Sequence, residues 1–304
     1  MLSKVLLVII SMSALTVAQI FFAAARAQAP QSLPIKKDSH QYGNASRVRR
    51  LQQLDIYHDD SLHNAPVIVM VHGGAWHSGD KSDYDVALTR ARLFLAKRFV
   101  YVSINYRLAP QSKHPCQTED LASAIAWLNK HIARYGGNAS KMILVGHSAG
   151  GQIVSLHIAD PHYLSAKSVA SSAIKAAVLL DPAALDLAGS WSRSGYTNSS
   201  QLTDAFGKER ANWLSASPLH QLTLRQSGTK VNISKQTMPE LILALSKDQF
   251  KNRAQALAYI KAYKDCGGDC QLILIAHKDH TGILKSFGDS NDTVTQALMQ
   301  CLSH

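Results

Sequence analysis

Short apolar runs alternate with amphipathic stretches along most of the chain. Runs such as 67–71 and 142–145 contain only Val, Ile, Leu and Met, as expected for strands that are buried on both faces of a sheet. This alternation is typical of a mostly parallel sheet covered by helices on both faces, so we predict an α/β fold. Further strand or helix segments are predicted at 99–105, 118–135, 152–159, 176–180, 241–245, 252–264 and 271–276.

Three stretches depart from this alternation. Residues 50–57 alternate apolar and polar side chains, which predicts an antiparallel edge strand, and 293–302 predict a closing helix. Residues 182–239 separate two predicted core strands, and long insertions at the carboxyl end of a sheet usually line a site. We therefore predict a small lid or pocket wall there. Its large aromatic side chains, each also compatible with ordinary core packing, are Trp191, Tyr196, Phe206 and Trp213.

The N-terminus has the pattern of a secretory signal peptide over residues 1–29. Lys4 precedes the apolar stretch 5–25, Arg26 is the next charge, and small residues then follow at the cleavage spacing. We expect cleavage there, a secreted or periplasmic protein, and a mature chain 30–304 that forms a single domain. Because the apolar stretch approaches the ~20 residues that span a bilayer, a retained membrane anchor is the alternative.

Four cysteines lie in the predicted mature chain: Cys116, Cys266, Cys270 and Cys301. An even number is compatible with two disulfides in an oxidising compartment. Cys266 and Cys270 could close a short loop, which would leave Cys116 with Cys301, although three pairings are open. The histidines near these cysteines lack the spacing of a metal site, so we expect no metal and no cofactor.

The formal net charge of +11 raises the question of an acidic partner. The only tight basic cluster, 47–50, has no interleaved aromatic residues and matches no nucleic-acid motif. We therefore expect no nucleic-acid partner.

Gly146-His147-Ser148-Ala149-Gly150 follows a predicted strand and opens onto a helical pattern. A G-x-S-x-G pattern in this context is typical of a sharp turn that holds the serine oxygen clear of the backbone. The two glycines allow strand and helix to pass closely. Ser148 is therefore the candidate nucleophile.

A second glycine-rich turn, His72-Gly73-Gly74-Ala75-Trp76, follows the strand 67–71. Such a loop presents bare amide hydrogens, and fixed N–H donors stabilise the negative charge that develops on a carbonyl oxygen during acyl transfer, by ~3–4 kcal/mol each. We assign the backbone N–H groups of Gly73, Gly74 and Ala149 as the oxyanion hole. A glycine-rich turn without chemistry is the alternative.

These motifs resemble the α/β-hydrolase fold, and within it the esterase group that includes hormone-sensitive-lipase-like enzymes, feruloyl and acetyl-xylan esterases, and kynurenine formamidase. Further similarity lies in 105–110, 114–115 and 216–218. Hormone-sensitive-lipase relatives usually carry a third glycine where this chain has Ala75, and Ala75-Trp76 looks more like the feruloyl-esterase and formamidase branches.

A serine hydroxyl needs a base near neutrality and a carboxylate that orients the base. The resemblance implies the chain order serine, acid, histidine, with each residue on a loop after a strand. Asp248 follows the strand 241–245 and His280 follows the strand 271–276. We therefore predict a Ser148, Asp248, His280 triad, with Asp181, after the strand 176–180, as the alternative acid.

Other titratable residues near these positions are assigned different roles. His147 adjoins the nucleophile, but neighbouring side chains diverge on a sharp turn, so we do not expect it to act as the base. His277 is still attached to the strand end, and Asp279 is next to His280 in sequence, which disfavours both. His72 is expected to shape the oxyanion loop through hydrogen bonds.

The resemblance implies a serine carboxylic ester hydrolase that acts through an acyl-enzyme on short-chain, aryl or carbohydrate esters, and the predicted signal peptide implies that it is exported. Its partner would be a small-molecule or glycan-linked ester. An arylformamidase similar to kynurenine formamidase would use the same residues, and a non-catalytic binding module on the same scaffold is the other alternative.

Overall fold

A central, mostly parallel sheet organises the computed structural model, which describes residues 35–44, 46–83, 86–191, 199–227 and 238–303. The described strands lie in the order β1-β2-β4-β3-β5-β6-β7-β8. Only β1 and β2 run antiparallel to their neighbours, and every pairing from β4 to β8 is parallel. The strands are β1 Lys36–Gln41, β2 Gln53–His58, β3 Ala65–Val71, β4 Val100–Ile104, β5 Gly137–His147, β6 Ile174–Leu180, β7 Glu240–Ser246 and β8 Cys270–Ile275.

Helices follow most of the parallel strands. The described α-helices are α1 Val86–Ala96, α2 Cys116–His131, α3 Ala149–Ala159, α4 His162–Ser165, α5 Leu187–Trp191, α6 Ser200–Phe206, α7 Arg210–Ala216, α8 Pro218–Gln226, α9 Arg253–Asp265, α10 His280–Ser286 and α11 Thr293–Cys301. Short 3-10 helices lie at Ser46–Leu51, Ile132–Tyr135, Ser171–Ala173 and Lys247–Asn252. The predicted fold class, a parallel sheet with helices on both faces, is confirmed.

The core follows the apolar runs of the sequence. From Val67 to Val71, all side chains in β3 except that of Met70 are wholly buried or nearly so, and Met70 is 3% exposed. The same holds for β5 from Met142 and for β6 from Ala176. Parallel strands covered on both faces need apolar residues at every position, not at alternate ones. The unbroken runs thus place β3, β5 and β6 at the centre, and their carboxyl ends meet at one edge of the sheet.

The predicted antiparallel strand is present, but its predicted edge position is wrong. β2 pairs with β4 on one side and with β1 on the other. β1 has the sequence Lys-Lys-Asp-Ser-His-Gln. Because it contains no apolar residue, its sequence gives no pattern from which a strand could be predicted, and most of its residues are exposed. A polar, charged edge strand also discourages pairing with another sheet.

The insertion 182–239 is mainly helical where it is described, and it contains α5 to α8. Two of its aromatic side chains are ordinary core: Trp213 is fully buried and donates from Nε1 to the Gly207 carbonyl at 2.8 Å, and Phe206 is 2% exposed. Tyr196 and the side chain of Trp191 lie outside the described residues.

The four cysteines are free, so the predicted disulfides are not supported. Three of them lie at the ends of separate elements: Cys116 begins α2, Cys270 begins β8 and Cys301 ends α11. The Sγ of Cys266 lies 3.5 Å from the Leu222 carbonyl. The predicted signal peptide lies outside the described residues. Among the helices that are described, none combines the length and the apolar character needed to cross a membrane.

Candidate active site

Ser148 lies in the turn that joins β5 to α3. Its backbone has φ 53°, a left-handed conformation that a serine adopts only when the surrounding structure imposes it. The Ser148 N–H donates to the Leu180 carbonyl at 3.0 Å, and its own carbonyl accepts from the N–H of Ala183 at 2.9 Å. The serine is therefore held between the ends of β5 and β6 by backbone bonds, and its side chain is partly exposed.

Two glycines make this turn possible. A Cβ at Gly146 would overlap the carbonyl oxygen of Gly150, and a Cβ at Gly150 would overlap that of Val71. Strand and helix therefore pass too closely for any side chain at these two positions, as the sequence motif predicts.

The loop after β3 lies directly against Ser148. A Cβ on Gly73 would stand 3.1 Å from the Cβ of Ser148. In the described part of the chain, the N–H groups of Gly73, Gly74 and Ala149 donate to no backbone acceptor. Ala149 is also the first residue of α3, where the helix dipole places partial positive charge. The three predicted donors thus belong to two turns that meet beside Ser148.

Contacts of His72 fix the shape of this loop. The His72 Nδ1–H donates to the Gly73 carbonyl at 2.7 Å, and the ring stacks on Tyr106 with centroids 4.3 Å apart. The Tyr106 hydroxyl donates to the His72 carbonyl at 3.0 Å. Ala75 and Trp76 have φ 52° and 64°, so the loop holds a strained path through two non-glycine residues.

His280 begins α10, and the structure pairs its imidazole with Asp181. The His280 Nδ1 lies 2.9 Å from the Asp181 Oδ2. Asp181 is 1% exposed, and it also accepts from the backbone N–H and the hydroxyl of Ser246, each at 2.6 Å. A buried carboxylate with three donors is well fixed and well suited to orient an imidazole.

The predicted contact between Asp248 and the imidazole of His280 is wrong. The imidazole contacts Asp181, the alternative acid. Asp248 is exposed in the 3-10 helix after β7, and its Oδ2 accepts from the backbone N–H of His280 at 3.0 Å. The reason lies in the distance from the strand end. Asp181 is the first residue after β6, whereas Asp248 is the second after β7, where the chain has already turned away.

The other candidate residues have separate roles. The His147 Nε2–H donates to the His280 carbonyl at 2.9 Å, and the two rings are 4.5 Å apart. Burial, and then the neighbouring His280, lowers the pKa of His147 to about 4. Asp279 caps α10, since its Oδ1 accepts from the Gly282 N–H at 2.6 Å. His277 is exposed.

Ser148, Asp181 and His280 line one cavity of about 540 Å³. Its apolar wall combines the indole of Trp76 with smaller side chains, among them Ala183, Ala184 and Leu187. The other polar side chains that line the cavity carry carboxamides or hydroxyls: Ser190, Ser199, Gln201, Gln249, Asn252 and Gln255. Among the described residues, no group of three His, Cys, Asp or Glu is arranged to hold a metal ion.

Comparison with curated proteins finds similarity to carboxylic ester hydrolases. A probable carboxylic ester hydrolase, LipM, of Mycobacterium tuberculosis is 32% identical over 141 residues, which are 45% of this chain and 32% of that protein. The carboxylesterase NlhH of the same species is 39% identical over 90 residues, which are 30% of this chain and 28% of that protein. The chain therefore spans about a third or less of the length of these relatives.

Solved structures of the same fold cover nearly the whole chain. Esterase B from Lactobacillus rhamnosis has a TM-score of 0.67 at 18% identity and covers 98% of this chain and 93% of its own. The propionate-bound esterase Est2 from Thermogutta terrifontis has a TM-score of 0.61 at 22% identity, with 91% and 95% covered. At such identities the likeness shows the fold, which is that of the α/β-hydrolases. The BD-FAE family model matches residues 54–262, from β2 into α9, and the chain therefore belongs to the BD-FAE family.

Proposed function

We propose that the protein is a serine carboxylic ester hydrolase that acts through an acyl-enzyme, with Ser148 as nucleophile, His280 as base and Asp181 as the orienting acid. The observation that carries this proposal is the 2.9 Å contact between His280 Nδ1 and the buried Asp181, in the same cavity as the strained turn of Ser148. The similarity to curated ester hydrolases supports the reaction class.

The Asp181 contact fixes which nitrogen of His280 reacts. Because Nδ1–H donates to the carboxylate, Nε2 carries the lone pair and accepts the hydroxyl proton as the Ser148 oxygen attacks the ester carbonyl. The carbonyl oxygen takes the negative charge and is stabilised by the N–H groups of Gly73, Gly74 and Ala149. The carbon–oxygen bond to the alcohol then breaks, and the alcohol leaves with the proton from Nε2.

Water completes the cycle by the same route. It loses a proton to His280 Nε2 as its oxygen attacks the acyl carbonyl, and the bond to the Ser148 oxygen breaks as that proton returns to serine. The acid is released and the enzyme is regenerated. No further group has to supply or remove electrons.

The cavity favours a small acyl group and a polyhydroxylated or aryl alcohol. Ala183, Ala184 and Leu187 leave room for a short chain, whereas the carboxamides of Gln249, Asn252 and Gln255 offer paired donors and acceptors suited to hydroxyl groups. Est2 of Thermogutta terrifontis, which shares the fold, holds propionate. We infer that acetyl or propionyl esters of carbohydrates are hydrolysed faster than long-chain esters.

We also propose that the protein is exported, with residues 1–29 as its signal. The apolar stretch 5–25 after Lys4 is the support. Expression of the full chain in a bacterial host, followed by N-terminal sequencing of the periplasmic fraction, should give a chain that starts near residue 30. Uncleaved protein in the membrane fraction would instead indicate a retained anchor.

The reaction is tested by Ser148→Ala and by covalent labelling. Turnover of p-nitrophenyl acetate should fall by about 10⁵-fold or more, because the members of a triad act as a unit. A fluorophosphonate should label the unchanged protein at Ser148 and leave Ser148→Ala unlabelled. Labelling at another serine, or unchanged turnover in the variant, would overturn the proposal.

A further inference from the structure

A second cavity, of about 640 Å³, lies on the other side of the oxyanion loop. It shares no lining residue with the cavity that contains Ser148. Its walls come from the loop after β3, from α1 and from α10, and Gly73, His147 and Thr281 bring it next to the candidate active site. Of its lining, the proposed reaction uses only the backbone N–H groups of Gly73 and Gly74.

Arg90 stands out among the residues of this cavity. It lies on the buried face of α1 and is 5% exposed. Its Nε donates to the Leu284 carbonyl at 3.2 Å, and its Nη2 has no partner. No carboxylate in the described chain pairs with it. An unpaired buried charge is costly, so an arginine retained there for structure alone would be expected to have an acidic partner.

Arg107 shows how the same chain satisfies a structural arginine. Its Nε and Nη2 donate to the two oxygens of Asp120, at 2.8–3.0 Å, and Asp120 is 1% exposed. Arg90 has the same fork of donors and lacks such a carboxylate. The fork matches the geometry of a carboxylate group.

The acidic residues that line the cavity already accept hydrogen bonds from other groups of the chain. Asp80 accepts from the N–H of Ser82 at 2.9 Å and from the side chain of Asn105 at 2.8 Å. Asp83 accepts from the N–H of Asp80 at 2.9 Å. Among the cations, Lys81 lies 2.9 Å from Asp55, whereas Lys285 is exposed at the rim.

We propose that this second cavity binds a carboxylate group through the guanidinium of Arg90. The carboxylate belongs either to a free organic acid or to a substituent of the substrate itself. The cavity lies beside the oxyanion loop, so both sources can reach it. Carboxylate binding here can be measured separately from ester hydrolysis, because neither Ser148 nor Asp181 lines the cavity.

The first measurement is the binding of acetate to Ser148→Ala, in which no acyl group can be transferred. Sodium acetate is titrated against sodium chloride at constant ionic strength, and binding is followed by NMR at the Arg90 Nε–H and the His147 ring. We expect saturation with a Kd on the order of 1 mM. Arg90 contributes to the lowered pKa of His147, so a bound anion should raise that pKa. Failure to saturate by 50 times that concentration would overturn the proposal.

Variants separate the guanidinium from general charge. Arg90→Lys keeps the charge and loses the fork, so acetate should bind at least about tenfold more weakly. Arg90→Met should abolish binding and leave the Tm unchanged or raised, since an unpaired buried charge is removed. Lys285→Gln is the matched control at the rim, with less than about a threefold loss.

Unchanged acetate binding in Arg90→Met, or in Arg90→Lys if the methionine variant does not fold, would overturn the site. A large drop in Tm for both variants without a change in binding would show that Arg90 is structural.

A kinetic comparison distinguishes the two sources of the carboxylate. The protein with Ser148 intact is given a neutral acetyl ester and an acetyl ester whose alcohol carries a carboxylate. A higher kcat/KM for the second ester that is lost in Arg90→Met assigns the carboxylate to the substrate. Equal kcat/KM values together with acetate binding assign it to a free acid.

Discussion

Two aspartates follow neighbouring strands of the sheet, and only one of them reaches the imidazole. Asp181 is buried at the end of β6 and receives three hydrogen bonds from Ser246 and His280. Asp248 is exposed after β7, and within the described residues its carboxylate accepts a hydrogen bond from the backbone N–H of His280 and not from the imidazole. Both aspartates lie between Ser148 and His280 in the chain, so the order serine, acid, histidine does not distinguish them, whereas burial and fixed donors do.

Replacing Asp181 by asparagine is expected to have the largest effect on the rate. We expect Asp181→Asn to lower kcat by about 10³–10⁴-fold, because an amide stabilises the wrong tautomer of His280 and cannot balance its charge. The rate is measured with p-nitrophenyl acetate at neutral pH. Asp248→Asn is the matched control and should stay within about threefold of the unchanged protein. The reverse order of effects would restore Asp248 as the acid.

The buried imidazole of His147, which lies beside His280, predicts a fold that loses stability in acid. Burial lowers the pKa of His147 to about 4, whereas the unfolded chain binds the proton near pH 6.5. The stability that depends on neutral His147 is complete above about pH 6.5 and is lost as pH falls toward 4, by about 3 kcal/mol. Urea unfolding between pH 7 and 4 should therefore show a shallower loss for His147→Gln. His277→Gln, at an exposed position, should follow the unchanged protein.

Ser246 tests how much the fixed donors of Asp181 contribute. Ser246→Ala removes one 2.6 Å hydrogen bond and keeps the backbone one, so we expect kcat to fall about tenfold, equivalent to about 1.4 kcal/mol. Ser82→Ala removes a similar bond to an aspartate, Asp80, on the exposed loop and should change kcat by less than about twofold. Equal effects of the two substitutions would show that burial of the bond is irrelevant.

The smallest effect is expected when the exposed aspartate loses its carboxylate altogether. Asp248→Ala should lower kcat/KM by about threefold or less, because water can replace a single exposed hydrogen bond to the His280 N–H. In the double variant with Asp181→Asn the two free-energy changes should add. Strong non-additivity would mean that both aspartates act on the imidazole.

Much of this arrangement was predictable from the sequence because it rests on local rules. Unbroken apolar runs predicted the central strands, and the glycines around Ser148 predicted a turn that no side chain could enter. His280 lies beyond β8 as predicted. The choice between Asp181 and Asp248 could not be made this way, because both follow an apolar strand and only the three-dimensional path of each loop separates them.

Two other expectations failed for related reasons. The polar strand β1 has no apolar alternation and is held by backbone pairing with β2. The cysteines are even in number, but an even count says nothing about the distances between them, and all four are free. In the sequence, Arg90 is an ordinary member of a helical pattern. Only the structure shows that its Nη2 is buried without a hydrogen-bond partner in the wall of a cavity.

Backbone hydrogen bonds between Ser148 and both Leu180 and Ala183 connect the turn of Ser148 to the very start of the insertion. Gly151 reinforces this junction, since a Cβ there would stand 2.9 Å from the Cα of Pro182. The reactive centre is thereby anchored before the chain departs into α5 to α8. Substitutions in those helices can therefore reshape the wall of the cavity while the turn that holds Ser148 stays the same.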